Sequence, residues 1–201
     1  MSEPDYAISP SCCYHCYEGM EDWELAPPGR CVTSTVTCHR YEGRNQQTLT
    51  RLRSFTMREV IWVGHPKYVL DSRHRADALI VEWAKDWGLA CTYETANDMF
   101  FTDDYSVKAS FQRQQEAKRE LRMTIPQEGD SISVFSSNFH SMTFGKAFNI
   151  KVEGKPAASA CVGWGYERMA YAILSQFGFD LALWPQGLRR DFTAWLESGG
   201  R

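Results

Sequence analysis

Arg40 and Glu42 stand two apart, and Phe55, Met57 and Glu59 repeat that spacing a short way on. If both runs are strands of one hairpin, side chains two apart point the same way, so an arginine, two carboxylates and an aromatic ring gather on one sheet surface. Such a group can form a cross-strand ion-pair ladder of the kind that stabilises exposed sheet faces, and spacing alone does not decide whether it does. The second store of chemistry is seven cysteines, at 12, 13, 16, 31, 38, 91 and 161. An odd number in a chain of 201 residues suits a disulfide framework poorly, and reduced thiols, some of them metal ligands, suit it better. Cys13-x-x-Cys16 with Cys31, Cys38 and His39 has the makings of a structural zinc site, although its second half lacks a matching pair spacing.

The elements that must position these residues follow from pattern. Residues 32–42 and 52–64 are rich in Val and Thr with near period-2 alternation, and 43–47 between them is turn chemistry, which predicts an antiparallel hairpin. Leu70, Ala76, Leu79, Ile80, Trp83, Ala84 and Trp87 recur at helical spacing, so 68–87 is predicted as a helix covering the sheet, closed by Gly88. A short strand is expected at 89–95 and a charged helix at 106–122, whose basic residues Lys108, Arg113, Lys118, Arg119 and Arg122 would share a face. Further strands are expected at 131–138, 144–152 and 157–161. Gly163 and Gly165 interrupt the pattern, a helix occupies 166–177, and a last one 188–196. The glycine-framed junction before Tyr166 either holds phosphate at the helix start or lets strand and helix pack closely. Helices interleaved with strands that meet by hairpins give an α+β fold, an antiparallel sheet flanked by helices.

At 43% hydrophobic the chain can bury one substantial core, so a single domain over 1–201 is expected, with residues 1–10 a flexible arm. A net charge of −3 argues against bulk nucleic-acid binding, which draws most of its affinity from a basic footprint. No apolar run is long enough to cross a bilayer and no secretory signal is visible, which leaves a cytoplasmic protein as the expectation.

Arg40-x-Glu42, a loop, and then Phe55-x-x-x-Glu59 resemble motif 2 of the class II aminoacyl-tRNA synthetases. Gly163-Trp164-Gly165-Tyr166-Glu167-Arg168 resembles their motif 3. Within that superfamily the resemblance is nearest to the amino acid:[carrier protein] ligases, relatives of the catalytic domain of the atypical, zinc-dependent seryl-tRNA synthetases. It rests on Ser11-Cys12-Cys13-Tyr14, Met57-Arg58-Glu59, Asn97 to Phe101, Gln112 to Gln115, Ser137-Asn138-Phe139-His140 and Ala160-Cys161.

The resemblance implies the class II catalytic fold and ATP-dependent activation of a small amino acid, glycine or alanine. The resulting aminoacyl adenylate would be passed to the phosphopantetheine thiol of a carrier protein. By the same resemblance Arg40 contacts the α-phosphate and the substrate carboxylate, Arg168 the γ end of a bent triphosphate, Glu42 the adenine amino group and Phe55 the adenine ring. Cys13, Glu59 and Cys161 would be zinc ligands, and Mg2+ would ride on the phosphates, although the segment before Asn138 lacks the acidic residue that synthetases carry there. The charged helix at 106–122 would offer the carrier its docking face. Family members form homodimers through a longer N-terminal portion carrying motif 1, which nothing before Ser11 supplies. A tRNA-binding extension is also absent, so tRNA is not an expected partner.

Overall fold

The computed structural model describes residues 8–40, 49–96 and 118–200. In chain order the elements are α1 (Tyr14–Glu18), β1 (Glu24–Leu25), β2 (Gly29–His39), β3 (Ser54–Gly64), α2 (Pro66–Asp86), β4 (Cys91–Thr95), β5 (Lys118–Ile125) and β6 (Asp130–Ser141). There follow α3 (Thr143–Ala147), β7 (Lys151–Val152), β8 (Lys155–Pro156), β9 (Ala158–Gly165), α4 (Tyr166–Phe177), a 3-10 turn (Leu181–Leu183) and α5 (Gln186–Glu197). Six strands form one sheet in the order β2-β3-β9-β6-β5-β4, with every neighbouring pair antiparallel. A small second sheet joins β1, β7 and β8.

Alternation along β3 assigns the two faces of the large sheet. Val60 and Trp62 pack with Ile80 and Ala84 of α2 and Ala172 of α4, so both long helices lie on one side. Ile61 and Val63 pack with Cys13, Tyr17, Met20 and Leu25 on the other side, where the N-terminal segment is seated with Ile150 and Val152. Burying one such aliphatic side chain stabilises by about 1.5–3 kcal/mol. A five-residue helix such as α1, too short to persist alone, is held by this packing. β9, central in the sheet, is buried on both faces because α2 covers one and the N-terminal segment the other: Ala158 and Ala160 meet Val69 of α2, and Cys161 points to the N-terminal side. A buried cation fastens α2 to β6. Arg73, 2% exposed, donates through Nε to Ser137 Oγ (2.8 Å) and through Nη2 to the Ser137 carbonyl (3.3 Å).

Several expectations hold: the hairpin, the long helix, the strand at 91–95 and the helix over 166–177 are present. Others are corrected. Residues 118–122 are not helical but open β5, in which Leu121, Met123 and Ile125 are buried while Lys118, Glu120 and Arg122 share the opposite face. That is strand alternation read from the sequence as a charged helix face. The proposed basic docking face therefore does not form over this part, since Arg119 turns instead to Asp77 (3.6 Å); Lys108 and Arg113 lie outside the described residues. Residues 144–152 are not one strand, because Phe144 lies in α3 and only Lys151–Val152 is extended. β9 runs through Gly163 and Gly165 to the first residue of α4 without a break. Ser9 and Pro10 are no loose arm: their carbonyls accept from the His39 amide (3.0 Å) and Arg40 Nε (2.9 Å).

α5 crosses the end of α2 backbone to backbone. A Cβ on Gly187 would lie 2.2 Å from the Asp86 carbonyl oxygen. Gly187→Ala is expected to lower stability by about 1–3 kcal/mol, the usual range for overpacking, with the loss read as a fall in the urea midpoint at unchanged slope.

Candidate metal and nucleotide site

Three buried acids converge on the N-terminal side of the sheet. Cys13, just before α1, is 4% exposed, Glu59 on β3 is 3% exposed and Cys161 on β9 is 3% exposed. One ligand atom from each lies within 4.8 Å of the other two. The β3–β9 register explains how two strands far apart in sequence deliver this. Ile61 pairs with Cys161 and Glu59 with Gly163, so Glu59 and Cys161 are diagonal neighbours on one face. Gly163 leaves the room: a Cβ there would sit 2.8 Å from Glu59 Cγ.

The electrostatics are those of a site short of positive charge. Burial pushes the Glu59 carboxyl up, against hydrogen bonds from Cys161 and Cys13 that pull it down. Its Oε2 has no hydrogen-bond partner among the described residues. Cys161 is pushed well above the ordinary thiol range by its hydrogen bond with Cys13, by burial and by the Glu59 charge. An orphaned buried carboxylate oxygen beside two thiols is costly unless a cation joins it. Two sulfurs and one oxygen also match the donor set of a zinc ion with a fourth position left open.

Around the cluster, Ser11 Oγ lies 3.3 Å from Cys13 Sγ, and Asn138 Nδ2 donates to Cys161 Sγ at 3.7 Å. His140 Nε2 approaches the same sulfur at 3.8 Å. Burial lowers this imidazole to about 4, so the ring is neutral at physiological pH. Cys12 points elsewhere, its thiol donating to the Ser34 carbonyl at 3.3 Å. The closed four-cysteine site does not form. Cys31 and Cys38 lie seven residues apart on β2, hence on opposite faces and roughly 23 Å apart along the strand.

Of the residues expected to meet nucleotide, Arg40 and Phe55 lie along the same face. Arg40 follows β2, and its guanidinium carbon lies 5.1 Å from the centroid of the Phe55 ring. Arg168, in the first turn of α4, donates through Nε to the Thr50 carbonyl (2.9 Å) and through Nη1 to the Ser133 carbonyl (3.2 Å). Glu42 lies outside the described residues. Asn138, His140 and Glu167 fall within the motifs quoted from the sequence, but nothing in their spacing announced their contacts. Both carboxylate oxygens of Glu167 accept from the Thr56 amide (2.8 and 2.9 Å), continuing the β3 ladder beyond the end of β9. Glu167→Ala is expected to cost about 1–3 kcal/mol, the penalty for orphaning an amide, and Glu167→Gln clearly less; chemical denaturation of the pair separates them.

One protein family, described as the tRNA synthetase class II core domain (G, H, P, S and T), matches residues 2–177. Amino acid–[acyl-carrier-protein] ligases 1 and 2 of Bradyrhizobium diazoefficiens are 34% identical over 190 residues and 33% identical over 191 residues. The alignments cover 94% of this chain but 58% and 57% of those proteins, so the chain spans under three-fifths of their length. The type-2 serine–tRNA ligase of Methanocaldococcus jannaschii is 26% identical over 192 residues, covering 92% of this chain and 37% of that one. The M. kandleri SerRS chain, crystallised with A. aeolicus tRNASec, superimposes with a TM-score of 0.79 at 23% identity. That match covers 96% of this chain and 39% of the other, and it is a likeness of fold.

Proposed function

Because this chain belongs to the tRNA synthetase class II core family, we propose that it activates a small amino acid with ATP and loads it onto a carrier protein. A carboxylate oxygen of glycine or alanine attacks the α-phosphorus, pyrophosphate leaves, and the aminoacyl adenylate remains. The phosphopantetheine thiol of an acyl or peptidyl carrier protein then takes the aminoacyl group, releasing AMP. Similarity to two carrier-protein ligases supports this class of reaction. The observation that carries the reading is the convergence of Cys13, Glu59 and Cys161 on the sheet face that also bears Arg40 and Phe55.

Zn2+ held by those three residues would supply an open position for the neutral amino group of the substrate, and so select α-amino acids. Arg40 faces the α-phosphate with a planar fork that can grip two oxygens at once while negative charge develops there. Arg168 takes the γ end, Phe55 stacks on the adenine and Glu42 accepts from its amino group. Mg2+ would neutralise the remaining phosphate charge.

Amino-acid-dependent exchange of pyrophosphate into ATP tests the reading, with exchange expected for glycine or alanine. A second reading is a zinc-binding homologue without turnover that acts as a partner or carrier-binding subunit. It is favoured by the engagement of both arginines with the protein itself: Arg40 with Phe55 and the Pro10 carbonyl, and Arg168 with two carbonyls. Bound metal without exchange for any common amino acid would establish that reading over the first.

Metal affinity is expected to rise with pH between 6 and 8. Cys161 binds only as the thiolate and its thiol is held above the ordinary range, so protons compete more strongly as pH falls. Each thiol that must ionise adds up to about tenfold per pH unit, measurable by chelator competition at several pH values.

A further inference from the structure

We propose that His140 is a positioning residue for the Cys161 thiolate, with Tyr17 and Ser159 holding its ring in the tautomer that this requires. The proposal rests on Cys161 being a metal ligand. His140 Nε2 lies 3.8 Å from Cys161 Sγ. On the opposite edge of the ring, Nδ1 faces Tyr17 Oη at 3.1 Å and Ser159 Oγ at 3.3 Å. The ring plane is fixed by edge-on packing against Phe144 (4.9 Å between centroids, 76°) and Tyr17 (6.1 Å, 86°). Tyr17 is in turn fully buried and stacked on Phe144 at 4.2 Å.

The tautomer follows from what each partner can give. A thiolate has no proton and can only accept, so once Cys161 is ionised the neutral ring must carry its hydrogen on Nε2 and point it at sulfur. Nδ1 is then an acceptor. Both groups facing it are hydroxyls that can turn to donate, and neither a carbonyl nor a carboxylate is recorded against that nitrogen among the described residues. Asn138 Nδ2 adds a second N–H to the same sulfur at 3.7 Å. Two donors would fix the direction of the sulfur lone pairs and draw off part of its charge, leaving the cation less neutralised and better able to hold an incoming amino group. Outer partners of this kind orient metal ligands and tune what they donate.

The test replaces the metal with Co2+, whose thiolate charge-transfer band reports the sulfur directly. In His140→Phe the band should move to lower energy, because a thiolate stripped of a hydrogen bond gives up its electrons more easily. Metal affinity by chelator competition should fall about 10–100-fold. His140→Gln, whose terminal amide can replace the Nε2–H, should recover part of both changes. Tyr17→Phe keeps the packing and removes only the hydroxyl, so it should shift both readouts the same way by less, which keeps the proposal testable if His140→Phe fails to fold. A wild-type chain that takes up cobalt with a thiolate band, and variants that leave band and affinity unchanged, would overturn this proposal and spare the metal site. A wild-type chain that takes up no cobalt would overturn both.

Discussion

If zinc binds as proposed, Cys161→Ser is expected to weaken that binding by more than the about 10–100-fold that changes outside the ligand set typically cost. The reason is the composition of the cluster: with one thiolate gone, Cys13 and Glu59 are left as two ligands for an ion that needs three to stay bound with a position open. Gly163→Ala should reproduce much of the loss without touching a ligand, because a Cβ 2.8 Å from Glu59 Cγ forces the carboxylate off its line to Cys161. Cys31→Ser, on an exposed stretch of β2, should change nothing. Zinc content after gel filtration and competition with a chromogenic chelator measure all three. Loss at Cys31 with retention at Cys161 would sink the open site.

Arg40→Ala is expected to lower amino-acid-dependent pyrophosphate exchange about 10²–10³-fold at saturating ATP and amino acid, the usual cost of losing one preorganised donor to a developing anion. Its metal content should be normal, since Arg40 is not one of the three converging residues. Arg40→Lys should recover little. The lysine ammonium is a point charge that cannot span two oxygens, and it lacks the flat face that lies over Phe55 at 5.1 Å. An Arg40→Ala variant that exchanges within threefold of wild type would remove Arg40 from the chemistry.

How much of this was legible depends on the reach of each signal. The hairpin, α2 and α4 announce themselves because their periodicity is local and matches the face they bury: Val60 and Trp62 against helices, Ile61 and Val63 against the N-terminal segment. β5 is masked in the sequence because Lys118, Glu120 and Arg122, charged on the outward side of a strand, look like a solvated helix face until Leu121 and Met123 are known to be buried. Gly163 and Gly165 resemble a break in the sequence and are instead strand residues, and at Gly163 the missing side chain makes room for Glu59. The cluster of Cys13, Glu59 and Cys161 has no local signature. Cys13-x-x-Cys16 pointed to a closed site, whereas the thiol that joins Cys13 is on β9, and only the pairing of β9 with β3 brings it there. Family resemblance named those residues, and periodicity could not have done so.

The place of β9 between β3 and β6 also dictates an order of assembly. β2–β3 and β5–β6 each join strands adjacent in the chain, so both ribbons are free to zip up while the remainder is still being synthesised. Neither completes the sheet, and the two halves stay separate until the strand bearing Cys161 wedges in. Until then Cys13 and Glu59 lack their third companion, so capture of the proposed metal would report that this long-range pairing has closed.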